Sequence, residues 1–310
     1  TKKKILITGE VGIIGLNLEN KLASTSYKIV IADNFERAKQ DKFLKESLSR
    51  DNITLVNLNL LDETETMSLG KDFHAVFHLA AIIGVRHVLD KPYSVLYNNV
   101  QMLANIIKLC KTQQEGFRRL LFASTSEIYA GTLNYYDMPI PTPENTPLSV
   151  SDLSEPRTSY MLSKLYGEAL CQQSALPFTI FRPHNVYGPR MGMSHVIPEQ
   201  MQKAYSAKIG ESIEVFSVDH TRSFCFVDDA IEMLVRMLEN NSCEGLTLNL
   251  GSESPEISIL DLVKECHKLL NKELAIIPKK GPQGSPRRRA PDMKKTAKIL
   301  GYESRINLSD

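Results

Sequence analysis

Tyr160 and Lys164 stand four residues apart in a helix-like stretch, so both side chains fall on one helix face. An ammonium beside a phenol stabilises the phenolate and lowers a pKa that starts near ~10. Such a tyrosine can take a hydroxyl proton at neutral pH while a hydride leaves the same carbon. Upstream, Ser124-Thr125-Ser126-Glu127-Ile128-Tyr129 follows a short apolar run, and Thr125 can hydrogen-bond that hydroxyl too. A Tyr-x-x-x-Lys alone is common on solvated helix faces. Its weight here comes from the elements that would position it.

Those elements begin at once. Residues 4–8 read as a buried strand, Gly9, Gly12 and Gly15 recur at three-residue spacing, and 16–24 reads as a helix. A second strand, 28–32, ends at Asp33. Strand, glycine turn, helix, strand and acidic residue together form a dinucleotide site. The glycines let backbone N–H groups approach a pyrophosphate at a helix N-terminus. A carboxylate at Asp33 suits ribose hydroxyls and repels a 2′-phosphate, which favours NAD over NADP. Glu10 puts a negative charge inside the loop, so Glu10→Gly is expected to tighten NAD binding.

The alternation continues with strands 53–58, 75–79 and 119–123 and helices 92–113 and 158–174, which predicts an α/β doubly wound parallel sheet. Ligands gather at the carboxyl ends of such strands. Composition narrows the function further. The chain has 310 residues, 37 Lys+Arg against 36 Asp+Glu, and a formal charge of +1. That balance argues against nucleic acid as a partner. No apolar run approaches the ~18 residues of a membrane span, so no membrane partner is expected. Five scattered cysteines without a Cys-x-x-Cys argue against disulfides or structural zinc and point to a reducing cytoplasm. His78, His87 and His195 lack metal-ligand companions, and no catalytic metal is expected.

Several further motifs join this frame. They are Phe77-His78-Leu79-Ala80-Ala81, Asn99, Ser124–Tyr129, Tyr160/Lys164, Arg182-Pro183-His184-Asn185-Val186-Tyr187-Gly188-Pro189, Arg222-Ser223-Phe224 and Arg289-Ala290-Pro291-Asp292. With them, nearly the whole chain resembles the extended short-chain dehydrogenase/reductases of the nucleotide-sugar epimerase/dehydratase/decarboxylase group. The resemblance implies a Rossmann-type NAD-binding lobe over 1–180, with a return near 214–240. A smaller interleaved C-terminal lobe, 181–213 and 241–310, would bind a nucleoside-diphosphate sugar. It places Gly9, Gly12, Ile13, Ile14, Gly15, Asp33, Asn34, Asn59, Leu60, Leu79, Ala80, Ala81, Asn99, Tyr160, Lys164 and Pro183 at the cofactor. It places Ser126, Asn185, His195, Val196, Phe216, Arg222, Arg289 and Asp292 at the substrate, with the two arginines clamping the diphosphate. Arg287 and Arg288 read as a solvated charge run. Helices 92–113 and 158–174 match a pair that dimerises relatives, so a homodimer is expected. Relatives continue past Asn307–Asp310 into a final helix, which suggests a slightly longer parent chain.

The group shares a first step, oxidation of the sugar at C4. The fate of the resulting ketone depends on Ser126 and Glu127. Dehydratases carry Thr-Asp-Glu where this chain has Thr125-Ser126-Glu127, and serine is a poor acid for expelling hydroxide. The Ser-Thr-Ser-Glu-x-Tyr run, Thr221-Arg222-Ser223-Phe224-Cys225 and Arg289 are similar to UDP-glucuronate decarboxylases. There Glu127 would assist oxidation or proton handling, and Arg289 would orient the substrate carboxylate. The stretch Met191-Gly192-Met193-Ser194-His195-Val196-Ile197-Pro198 is nearer to epimerases and dehydratases, as is Ala81–Val85. Decarboxylation is the preferred reading, with 4-epimerisation and then 4,6-dehydration as alternatives. A C4-dehydrogenase or ketoreductase, or a non-catalytic NAD-binding protein, are the class-level rivals.

Overall fold

The computed structural model describes residues 2–9, 12–34, 45–46, 49–150, 152–281 and 285–310, Val85 by its backbone only. In chain order the first elements are β1 (Lys4–Thr8), α1 (Ile13–Ala23), β2 (Lys28–Asp33), β3 (Ile53–Asn57), α2 (Glu63–Met67) and β4 (Phe73–His78). Next come α3 (Val85–Asp90), α4 (Pro92–Lys111), β5 (Arg119–Ala123), α5 (Ala130–Tyr135), α6 (Thr158–Gln173), β6 (Phe178–Pro183) and β7 (Val186–Tyr187). The last part holds α7 (Val196–Ser206), β8 (Ser212–Phe216), β9 (Thr221–Ser223), β10 (Cys225–Phe226), α8 (Val227–Glu239), β11 (Leu246–Leu250), β12 (Glu256–Ser258), α9 (Ile259–Leu269), β13 (Ala275–Lys279), β14 (Arg288–Arg289) and α10 (Lys294–Leu300).

Seven parallel strands form the main sheet in the order β11-β6-β5-β4-β1-β2-β3. Their apolar runs are continuous because helices cover both faces, and Ile5, Leu6 and Ile7 have no exposed surface. One face packs against α1 and α8, the other against α4 and α6. Strand order reverses between β1 and β4, which opens a crevice beyond their carboxyl ends. This is the doubly wound α/β fold expected from the sequence.

The C-terminal half divides differently from its sequence reading. Strand β8, expected to return to the first lobe, pairs with β13 in a separate two-stranded sheet. Only the following α8 returns, packing on α1. Conversely, β11 lies in a segment assigned to the substrate lobe, yet it forms an edge of the main sheet beside β6. Leu248 and Leu250 are fully buried there, and that burial holds the strand in the main core. A third apolar cluster joins α7, β8 and α9, with Val215 and Val263 at its centre. No helix among the described residues is long and apolar enough to cross a membrane.

Candidate active site

The turn after β1 is shaped by glycine. Gly9 has φ +79°, and a Cβ there would lie 2.4 Å from the Ala80 backbone. The Leu79-Ala80 segment crosses directly over the loop, held by Leu79 N–H donating to the Thr8 carbonyl at 3.0 Å. Helix α1 starts from Gly12, whose Cβ position meets no atom within 4 Å. Among the described residues no side chain caps this N-terminus and no acidic residue stands in the first turn. Uncapped N–H groups facing open space fit the pyrophosphate of a dinucleotide. Ile13, Ile14 and Gly15 belong to α1 itself, with both isoleucines packed toward the core. Asp33 closes β2 in register with Asn57, and Asn34 follows it. Glu10 lies outside the described residues.

Other expected cofactor residues are committed to protein partners. Asn59, exposed at the surface, accepts the Leu61 N–H at 3.0 Å through its own side chain and closes a local turn. Leu60 is buried in the core beside that turn. Asn99 accepts from Ile82 N–H at 2.7 Å and donates to the Ile82 carbonyl and the Ser163 hydroxyl. It thereby ties the segment after β4, including Ala81, to the helix carrying Tyr160. Pro183 ends β6, in register with Leu250.

Tyr160 and Lys164 lie on α6, and Thr125, Ser126 and Glu127 form the turn that follows β5. The Thr125 hydroxyl accepts the Glu127 N–H at 3.2 Å. Ser126 is buried at the start of the turn. Lys164 Nζ sits 5.9 Å from the Tyr160 ring centroid and donates to the Ala123 carbonyl at 2.8 Å. The expected lowering of the Tyr160 pKa is overturned here. Burial and then the Glu127 carboxylate push the phenol upward, with the Thr125 hydrogen bond opposing. Burial also brings the Lys164 ammonium down to about 8. One of its three N–H donors is thus spent on a main-chain carbonyl.

The anion-binding side is built by register. Strands β9 and β14 run parallel, and Arg222 lies directly opposite Arg289. Arg222 is braced by donation to the Thr221 carbonyl at 2.7 Å and the Pro286 carbonyl at 2.8 Å. Burial and the neighbouring Arg289 charge lower it to about 10. Burial lowers Arg289 as well, against the opposing pull of Glu127. Two adjacent, poorly solvated guanidinium groups favour an anion between or beside them. Asn185, with φ +43°, donates to the Ser223 carbonyl at 3.1 Å at the end of the same strand. His195 caps α7 and Val196 is its first residue, while burial lowers the His195 pKa. Phe216 is half exposed at the end of β8. Asp292 turns its carboxylate onto the Lys294 N–H at 2.9 Å, serving the start of α10.

Sequence reasoning passed over Glu168 and Asn249, which hold a buried polar array behind these groups. The signal was present for Glu168, four residues after Lys164 and so on the same helix face.

The family model for the NAD dependent epimerase/dehydratase family matches residues 5–251. UDP-N-acetyl-alpha-D-glucosaminuronate decarboxylase of Bacillus cytotoxicus is 32% identical over 284 residues, covering 89% of this chain and 83% of that protein. UDP-glucuronic acid decarboxylase 3 of Arabidopsis thaliana is 28% identical over 315 residues, covering 99% of this chain and 86% of that protein. Among solved structures, UDP-glucuronic acid 4-epimerase from Bacillus cereus, in complex with UDP-glucuronic acid and NAD, aligns with a TM-score of 0.81. It is 26% identical and the alignment covers 99% of this chain and 95% of that one. By the family-model match over residues 5–251 and the 32% identical relative, the chain belongs to the NAD dependent epimerase/dehydratase family.

Proposed function

We propose that the protein decarboxylates a UDP-hexuronate, with UDP-glucuronate as the leading substrate. The observation that carries this reading is the strand register that sets Arg289 opposite Arg222, with the Glu127 charge felt at both Arg289 and Tyr160. A guanidinium at Arg289 can orient a sugar carboxylate. The relatives support the same substrate class, since all three are named for UDP-linked uronates.

Bound NAD supplies hydride acceptance and return at C4. Tyr160 takes the C4 hydroxyl proton, with Thr125 aligning that hydroxyl. Positive charge brought near the phenol by Lys164 and the bound ligands is expected to lower its pKa. The resulting 4-ketone lies β to the carboxylate. The C5–carboxyl bond breaks, carbon dioxide leaves, and its electron pair enters the enolate. A proton then adds at C5, a proton-handling step assigned to Glu127. Arg222 and Arg289 hold the diphosphate and carboxylate end of the ligand, and Asn185, His195, Val196 and Phe216 complete its walls. Gly9, Gly12 and Asp33 bind the dinucleotide.

A second reading, 4-epimerisation, draws support from the His195-Val196-Ile197-Pro198 stretch and from the epimerase alignment. Incubation with a panel of UDP-, GDP-, dTDP- and CDP-sugars, followed by mass spectrometry and NMR, separates the outcomes. Loss of carbon dioxide from UDP-glucuronate is the expected result. A neutral sugar isomerised while UDP-glucuronate stays intact overturns decarboxylation. Loss of water indicates dehydration.

The free enzyme is inferred to be a cytoplasmic homodimer formed through α4 and α6. Tyr93 and Tyr97 on α4 stack on each other while 77% and 53% exposed, and Tyr166 on α6 is also exposed. Light scattering at the dimer mass is expected.

A further inference from the structure

Behind the Tyr160/Lys164 helix runs a chain of hydrogen bonds among side chains that are at most 4% exposed. Glu168 accepts from the Ser124 hydroxyl at 2.6 Å. It also accepts two bonds from Arg182, at 2.9 Å from Nε and 2.7 Å from Nη2. Arg182 Nη1 reaches on to the Tyr129 hydroxyl at 2.7 Å. The Tyr129 O–H donates to Asn249 Oδ1 at 3.1 Å. Asn249 Nδ2 in turn donates to the carbonyls of Thr142 at 2.9 Å and Asp292 at 3.0 Å.

The topology of this chain is specific. Ser124 immediately precedes Thr125 and Tyr129 ends the same turn, so Thr125, Ser126 and Glu127 are gripped from both sides. Glu168 shares a helix face with Lys164. Asp292 follows Arg289 by three residues, so the last link reaches the strand end that carries the anion-binding pair. A buried ion pair is a poor stabiliser, because desolvation offsets most of its attraction and apolar replacements of equal volume are often as stable. A bidentate guanidinium–carboxylate fork, however, fixes orientation closely.

We propose that Ser124, Glu168, Arg182, Tyr129 and Asn249 act as one positioning unit. It sets the proton-transfer groups of α6 and the 125–127 turn against the Arg289 side of the site. This deepens the proposed function and rests on Tyr160 as the proton acceptor there. Misplacement of reacting groups by a fraction of an ångström is what such a unit prevents.

The test uses the full-length holoenzyme with UDP-glucuronate and the variants Ser124→Ala, Tyr129→Phe and their combination. Each single variant is expected to lower kcat about tenfold with KM within about twofold. The double variant is expected to lose clearly less than the product of the two, because parts of one unit are not additive. Amide hydrogen exchange should quicken in 124–129 in both single variants, and in 289–292 in Tyr129→Phe, while the rest of the sheet stays protected. Exchange raised evenly across the sheet, or unchanged at 124–129, overturns the unit, and this arm decides the matter even where UDP-glucuronate is not turned over. Tyr160→Phe runs alongside. Full activity in that variant overturns the base assignment, whereas wild-type kcat in both network variants beside an inactive Tyr160→Phe overturns only the positioning role.

Discussion

The glycine loop and the arginine pair are both shaped for anions, by opposite means. The loop uses main-chain N–H groups at a helix N-terminus, and its essential feature is the lack of a side chain at Gly9 and Gly12. The pair uses two long cationic side chains, brought together by strand register and partly offset by Glu127. A backbone site is intolerant of added volume and needs no cationic side chain. A side-chain site tolerates volume but depends on fork geometry and net charge.

The largest effect is expected where the two surfaces meet. Tyr160→Phe should lower kcat by about 10³ without loss of NAD binding, measured by turnover and calorimetry. Activity near normal would remove the phenol from the comparison. Next, Gly9→Ala should weaken NAD binding by about a hundredfold and destabilise the fold by about 2–4 kcal/mol, because the new Cβ meets the Ala80 backbone. Calorimetry with UDP should show little change in the same variant. Arg222→Lys inverts that test: UDP affinity should fall about tenfold through loss of the fork, with NAD affinity retained. Equal losses for both ligands would mean that the two surfaces are not separable.

The smallest effect concerns pH. His78 accepts or donates at 2.7 Å to Thr8 beneath the glycine loop, and His184 contacts Asn249 behind the arginine pair. Burial lowers both to about 3 from the ordinary 6.5. Between these values the unfolded chain binds protons that the native protein does not, so stability rises with pH across that window. It is fully present above pH 6.5 and declines as pH falls toward 3. Thermal melts from about pH 7 to about pH 4 should show this fall, and His184→Gln should make it shallower. An unchanged slope would free the arginine side from this acid sensitivity.

Local chemistry explains what is readable in the sequence. The β1–α1–β2 unit is contiguous, and its glycines, apolar runs and terminal Asp33 each report on immediate neighbours. Helix α1 starts earlier than residue 16, because Gly12 serves as its N-cap and Gly15 lies within the helix. Asn59 and Asn99 stand at expected cofactor positions, and the main-chain groups their amides pair with are supplied only by the fold. The Tyr160 shift fails for the same reason. Four-residue spacing puts Lys164 on the right face but says nothing of the burial and the Glu127 charge that raise the phenol.

By itself the sequence determined the parallel α/β sheet, the dinucleotide turn and the family, because periodicity and glycine spacing act over a few residues. Tertiary structure alone decided that Arg222 stands opposite Arg289, that β11 belongs to the main sheet, and that Glu168 reaches Ser124. Those relations join residues distant in the chain. They depend on strand register and on which buried polar group finds a partner, and neither is written in local spacing.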